Sequence, residues 1–157
     1  MSTYTNLVKF WRLAPTERSL FLHAMLLLTV AGVGLRLVSF RRIQGLFGSS
    51  TLAAGKALSP VGAAAQSRQT AVIVAAAARY VPYRANCLPT SLVLRYFLLR
   101  QGIQADLRVG VRKADGGRLD AHAWVEHMGQ PLIDQPDVHQ RFAPFHQAIP
   151  PSKRTAG

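Results

Sequence analysis

The most apolar stretch of the chain runs from residue 19 to residue 40 and is broken only by a histidine and an arginine. Pro15 followed by Glu17 is typical of the first turn of a helix, so the pattern predicts one long helix. Its uninterrupted apolar part, residues 24–35, is twelve residues long, whereas a membrane-spanning helix needs about 20. The cleavage pattern of a signal peptide is missing as well. We therefore predict a helix that is buried in the core or covered by a partner.

Peripheral contact with a membrane is the alternative for this stretch, because Arg41 and Arg42 follow it and could anchor an interfacial helix. Residues 43–66 are rich in glycine, serine and alanine and include a turn signal at 59–62, which indicates a connector. The predicted organisation is an N-terminal helical part with its connector at 1–66, which is expected to dock a partner, a core at 67–147 and a disordered tail at 148–157.

Two shorter helices are predicted next. Residues 69–81 are apolar and rich in alanine, and Pro82 ends them. A proline is tolerated in the first turn of a helix, where its missing N–H would have no partner, so Pro89 predicts a helix that opens at Cys87. Apolar residues at helical spacing and a glycine stop support that helix: Leu88, Leu92, Tyr96, Leu99 and Gly102.

After this helix the period changes from helical to alternating. Leu107, Val109 and Val111 share one face of a predicted strand, and residues 115–118 form a turn signal. Residues 121–126 alternate again, which places three side chains on one face: His122, Trp124 and Glu126. A short return strand is predicted at 131–134, and the proline-rich chain beyond it is predicted to be irregular. The fold class is therefore α+β, a helical N-terminal part and a Cys87-bearing helix packed against a small antiparallel sheet.

The length of the hairpin loop after His122 determines which residue of the return strand lies opposite His122. A three-residue loop at 127–129 would place His122 directly opposite Asp134, close enough for an imidazole–carboxylate hydrogen bond. A two-residue loop at 128–129 would instead place Asp134 opposite Ala123, on the other face of the sheet. A catalytic role for this pair therefore predicts an odd loop or a compensating bulge.

The order of these residues indicates acyl-transfer chemistry. The unpaired N–H groups at a helix N-terminus favour a thiolate at Cys87. A histidine on one strand can act as its base, and an acid on the next strand can hold the imidazole, which gives Cys87, His122 and Asp134 as the predicted triad. Glu126 or Asp137 are the alternative acids, and a structural cysteine is the alternative to catalysis.

Two neighbours of the triad have open roles. Asn86 could stabilise an oxyanion, together with the backbone N–H of Cys87, or cap the helix. Trp124 could belong to the core or wall the active cleft. Because the sequence contains neither an HExxH nor a CxxC motif, we predict no metal and no cofactor.

Composition adds limits to this interpretation. A single cysteine excludes an internal disulfide and fits a reducing cytoplasm. The net charge of +12 is spread along the chain without a compact basic run. It suits an acidic peptide, an acidic partner protein or an anionic membrane surface, and we expect no specific nucleic-acid binding.

Three segments carry a family resemblance: ARYVPYRA, NCLPTSLVLRYFLLRQGIQADLRVGVRK and AHAWVEHMGQPLID. Over roughly residues 70–137 the chain resembles the B protein of lasso-peptide biosynthesis, a leader peptidase of the transglutaminase-like (papain-like) superfamily of cysteine proteases. The resemblance implies that Cys87 is the nucleophile, His122 the base and acid, and Asp134 the orienting carboxylate. It implies cleavage of the leader from a ribosomally made precursor peptide, in preparation for an asparagine-synthetase-like cyclase that closes a macrolactam.

The resemblance also implies a partner. Members of that family are either fused to a small leader-recognition domain or separate from it, and this chain has no room for such a domain before its apolar helix. It therefore looks like the split form, which depends on a separate leader-recognition protein. A transglutaminase-like acyltransferase with the same triad, or a basic non-catalytic adaptor at a membrane surface, are the alternative functions.

Overall fold

The computed structural model describes residues 14–37, 59–81 and 86–144. Within these ranges, three helices precede a four-stranded antiparallel sheet whose strand order is β3-β2-β1-β4. The helices are α1 (Pro15–Leu37), α2 (Pro60–Ala77), α3 (Cys87–Arg100) and the short α4 (Val138–Arg141). The strands are β1 (Asp106–Lys113), β2 (Leu119–His127), β3 (Gln130–Pro131) and β4 (Ala143–Pro144). This mixed architecture is the α+β class expected from the sequence.

Helix α1 is 23 residues long and opens on Pro15, with the Glu17 carboxylate accepting a hydrogen bond from the Ala14 N–H at 2.9 Å. Only Ala24, Leu28 and Ala31 are fully buried. By length and composition α1 could cross a membrane, since its most apolar window has a mean hydropathy of 1.9, yet just 17% of that window is buried. The predicted burial of this helix within the chain therefore holds for one face alone.

The outer side of α1 carries a continuous row of exposed aliphatic side chains. We call this row the outer stripe of α1; its members are Leu22, Leu26, Val30, Val33 and Leu37. Their spacing of three or four residues keeps them on one face of the helix. Exposed apolar rows of this kind are typical of surfaces that contact a partner protein or a membrane.

Helix α2 begins at Pro60, nine residues before the start predicted at Gln69, so the turn predicted at 59–62 was wrong. Ser59 is the N-cap, and its side chain accepts a hydrogen bond from the Gly62 N–H at 3.2 Å. A serine followed by proline suits a helix start as well as a turn, because proline needs no N–H partner in the first turn. The helix ends at Ala77, earlier than the predicted end at Val81.

Helix α3 begins at Cys87 as predicted, and Gly102 follows its end with a φ of 76°. It lies at the centre of the main core, in contact with α1, α2 and the sheet. Arg95 is buried in this helix, and its Nε donates to the Ala105 carbonyl at 3.1 Å. Burial lowers the pKa of the Arg95 guanidinium, and the nearby Asp106 carboxylate opposes that shift.

The two long strands are joined by the predicted turn, which is a short 3₁₀ turn at Asp115–Gly117. Gly110 of β1 lies opposite His122 of β2. One face of the sheet joins the helical core through Leu107, Ala123 and Val125. The opposite face carries a second cluster, which consists of Trp124, Val138 and Phe142.

The chain after Pro136 is less irregular than predicted. It forms α4 and β4, and β4 pairs with β1 at Gly110 and Val111. Val138 and Phe142 hold this segment by packing against Trp124. The predictions for residues 41–42, for 43–58 of the connector and for the tail at 148–157 lie outside the described residues.

Candidate active site

His122 and Asp134 are joined by a hydrogen bond. The His122 Nε2 atom lies 2.6 Å from Asp134 Oδ1, and each side chain is 23% exposed. With Asp134 ionised, Nε2 carries the proton and donates it, which leaves Nδ1 as the basic nitrogen. Within the ranges that the structure describes, Nδ1 has no hydrogen-bond partner. The imidazole is therefore arranged to accept a proton at Nδ1 from a group that approaches the cleft.

The hairpin reaches this contact through a two-residue loop and a bend, not through a three-residue loop. His127 pairs with Gln130 and Glu126 with Pro131, which is the pairing that would place Asp134 opposite Ala123 if the strand continued. The positive φ of Met128 (51°) and of Gly129 (76°) is that of a type I′ turn. Pairing stops at Pro131, and the chain bends away from the strand, which brings Asp134 beside His122 instead of opposite Ala123.

Two aromatic rings flank the His122 imidazole. Trp124 stacks on it with an interplanar angle of 16° and a centroid distance of 6.0 Å, and the Phe142 ring lies 4.9 Å away. Gly110 makes room for both rings, since a Cβ at this position would lie 3.0 Å from Trp124 Cη2 and 3.1 Å from Phe142 Cβ. Trp124 is both a core residue, with 0% exposure, and a neighbour of the histidine.

Glu126 does not bond to His122. Its Oε1 accepts the Trp124 Nε1–H at 2.7 Å, its Oε2 lies 3.2 Å from Arg108 Nε, and His139 Nε2 is 3.3 Å from Oε1. The other alternative acid, Asp137, is exposed and faces Arg141 at 4.0 Å. Of the three acids considered from the sequence, Asp134 is the one that holds the imidazole.

Cys87 is the first residue of α3 and is partly buried against the main core. Asn86 takes the N-cap position with extended backbone, but its side chain makes no capping hydrogen bond. At the start of α3 the Thr90 N–H bonds to the Asn86 carbonyl and Pro89 has no N–H, so the backbone donors without an intrahelical partner are those of Cys87 and Leu88. A developing oxyanion there would meet these donors and the positive end of the helix dipole.

Helix α3 is fastened to β2 next to the histidine. The Ser91 hydroxyl, one turn after Cys87, donates to the Ala123 carbonyl at 3.0 Å, and Ala123 is the neighbour of His122. Side chains alternate along a strand, so His122 lies on the opposite face of the sheet from Ala123 and from α3. The Cys87 thiol and the His122 imidazole can therefore meet only around the edge of β2. Among the described residues, strand pairing along that edge is limited to Glu126 and His127, so no strand covers it beside His122. In the described part of the chain, Cys87 and His122 form no hydrogen bond.

Phe142, His139 and Gly110 are the neighbours of this site that sequence reasoning missed. The two ring-bearing residues lie in the segment predicted to be irregular, and no local pattern links them to His122. Gly110 interrupts an alternating strand, which is a signal for close approach of another group. Among the described residues no group of three or more histidine, cysteine or acidic side chains could hold a metal.

Comparison with known protein families identifies a relationship. The family model described as the transglutaminase-like superfamily matches residues 31–147, which is more than half of the chain. No curated protein and no solved structure matches the sequence.

Proposed function

The chain belongs to the transglutaminase-like superfamily, whose members are usually cysteine-based enzymes of the protease or acyltransferase type, and we propose that it is a cysteine peptidase. The observation that carries the proposal is the 2.6 Å contact between His122 Nε2 and Asp134 Oδ1, with Cys87 at the start of the helix fastened beside it. Cys87, His122 and Asp134 also follow one another along the chain in the order of the motifs that carry the resemblance to leader peptidases.

In the proposed reaction, His122 Nδ1 takes the Cys87 proton and the sulfur attacks the peptide carbonyl, with the N–H groups at the start of α3 facing the oxyanion. The tetrahedral intermediate collapses as the C–N bond breaks, and the imidazolium gives its proton to the departing amine. A water molecule, deprotonated by His122, then attacks the thioester. The carboxylate product leaves and the thiol regains its proton.

The substrate that we propose is the precursor of a lasso peptide. Cleavage would release the leader and free the N-terminal amine of the core peptide, which an asparagine-synthetase-like cyclase would then join into a macrolactam. The motifs around Cys87 and His122 support this choice through their resemblance to the leader peptidases of such pathways. The net charge of +12 suits an acidic peptide or partner, and the single cysteine suits the cytoplasm as the site of action.

A separate leader-recognition protein is the proposed partner, and the outer stripe of α1 is its proposed docking surface. The stripe is apolar and exposed, with Leu26 at 61%, and α1 packs its other face on α2 and α3. Docking there would bring the bound leader to the same chain without occupying Cys87.

The test is incubation of the protein with precursor peptide and recognition protein, with product masses as the readout. If the protein hydrolyses the bond, the released leader has the mass of the leader acyl group plus one water. A product that carries an added amine in place of water would identify an acyltransferase with the same residues. An unchanged precursor in the presence of the recognition protein would contradict both enzymatic functions and favour a non-catalytic adaptor.

A further inference from the structure

We propose that Glu126 is a positioning residue that sets the plane of the His122 imidazole through the Trp124 indole. The inference rests on the proposed function only in taking His122 as the base. Glu126 is 3% exposed, accepts hydrogen bonds from Trp124 of its own strand and from Arg108 of β1, and lies 3.3 Å from His139 Nε2 of α4. A buried carboxylate is retained only where such partners compensate for its loss of water.

Asp134 cannot set the orientation of the imidazole alone. Its hydrogen bond fixes the position of one atom, Nε2, and leaves the ring free to turn about the line between the two groups. The Trp124 indole, within 16° of parallel to the imidazole, restricts the ring plane together with the Phe142 ring, whose centroid is nearer at 4.9 Å, and so restricts the direction of Nδ1. Proton transfer from a thiol needs that direction to be correct.

The indole in turn is held by its single N–H. Trp124 Nε1 donates to Glu126 Oε1 at 2.7 Å, and the edge of His139 meets the same indole at a centroid distance of 5.8 Å. Arg108 holds the second carboxylate oxygen, so the carboxylate has little freedom to rotate. A fixed carboxylate fixes the indole, and the fixed indole fixes the imidazole.

A purely stabilising role explains the burial of the Glu126 carboxylate less well. Apolar side chains of similar volume commonly stabilise a buried site as well as, or better than, a buried ionic cluster. Asp120 offers a comparison on the same face of β2, because it pairs with Arg112 at 2.9 Å but is exposed and lies on the other side of His122 from Trp124. Of the two ion pairs, only Glu126–Arg108 contacts the Trp124 indole.

The experiment compares Glu126→Gln and Glu126→Ala in the wild-type background and in Trp124→Phe, which keeps a ring but lacks the N–H donor. Two readouts are used: steady-state cleavage of the precursor with recognition protein, and the ¹⁵N chemical shifts of the His122 ring. We expect Glu126→Ala to lower kcat roughly 10- to 100-fold with KM little changed, and Glu126→Gln to lower it less. In the Trp124→Phe background, neither Glu126 substitution should lower kcat below the value of Trp124→Phe itself. Asp120→Asn is the matched control and should leave kcat within about twofold.

The ring shifts separate this inference from the proposed function, because they need no activity. A changed His122 spectrum in folded Glu126→Gln supports the inference even if the protein cleaves no precursor. An unchanged His122 spectrum in that variant overturns it, and so does a loss of kcat that adds fully to the effect of Trp124→Phe. If Glu126→Ala does not fold, Glu126→Gln supplies both readouts.

Discussion

His122 Nε2 lies 2.6 Å from Asp134 Oδ1, and the chain between them leaves its strand after Pro131 to make that contact. The Leu132 N–H still donates to the Val125 carbonyl at 3.1 Å, after which the backbone bends. The carboxylate therefore depends on a short irregular segment for its position, although the histidine belongs to a regular strand.

Asp134→Asn should reduce precursor cleavage by roughly two to four orders of magnitude without unfolding the protein. The amide can offer its own N–H₂ to Nε2 and so favour the wrong imidazole tautomer, with the proton on Nδ1. Single-turnover cleavage rates measure the effect. Asp137→Asn is the control, since Asp137 is exposed and faces Arg141, and it should cleave at close to the wild-type rate.

Gly110→Ala, on the strand opposite His122, should lower both the stability of the protein and its activity. The new Cβ would lie 3.0 Å from both Trp124 Cη2 and the Ala143 carbonyl oxygen, so the ring or the β4 backbone must shift. We expect a loss of about 1–3 kcal/mol in the free energy of unfolding, as for other overpacked sites. Urea unfolding measures it, and a weaker tryptophan-to-histidine contact should appear as lower activity per folded molecule. A variant of wild-type stability and activity would show that Gly110 is not needed for close approach.

Met128→Asn should stabilise the hairpin. Met128 is 74% exposed and has a φ of 51°, a conformation that asparagine adopts more readily than methionine in a type I′ turn. We expect a gain of about 0.5 kcal/mol in the free energy of unfolding, measured by chemical denaturation. Because the side chain is exposed in the hairpin loop, activity should be unchanged. A loss of stability would mean that the loop does not contain two residues.

Leu26→Glu should weaken binding of the recognition protein roughly tenfold or more, because it buries a charge at the centre of the outer stripe of α1. Leu119→Glu is the matched control, since Leu119 is 72% exposed and lies at the start of β2. Isothermal titration compares the two. Equal affinities of the two variants for the recognition protein would contradict docking on the outer stripe of α1. If Leu26→Glu instead loses binding to anionic lipid vesicles and keeps binding to the recognition protein, the stripe is a membrane contact.

The main features of the fold follow from local patterns, whereas the contacts that complete the site do not. Alternation along 121–126 and the helix start at Cys87 are local, so the α+β class and the shared face of His122, Trp124 and Glu126 were predictable. The length of the hairpin loop stayed open, because the residues around Met128 fit a loop of two or of three residues and only the pairing of Glu126 with Pro131 decides.

The missed elements depend on tertiary packing. Helix α4 has four residues and β4 has two, too few for a period to show in the sequence. Both exist because Val138 and Phe142 bury themselves against Trp124. The early start of α2 was missed for a different reason, since Ser59 and Pro60 serve equally well in a turn and in a helix N-terminus.

If Cys87 attacks the last leader carbonyl, an acyl-enzyme forms on its sulfur and can be trapped. Wild-type protein is mixed with precursor and recognition protein, quenched in acid and analysed by intact mass and peptide mapping. We expect a leader adduct on Cys87 that hydroxylamine removes, with neither adduct nor leader release in Cys87→Ala. Full leader release by Cys87→Ala would contradict this mechanism.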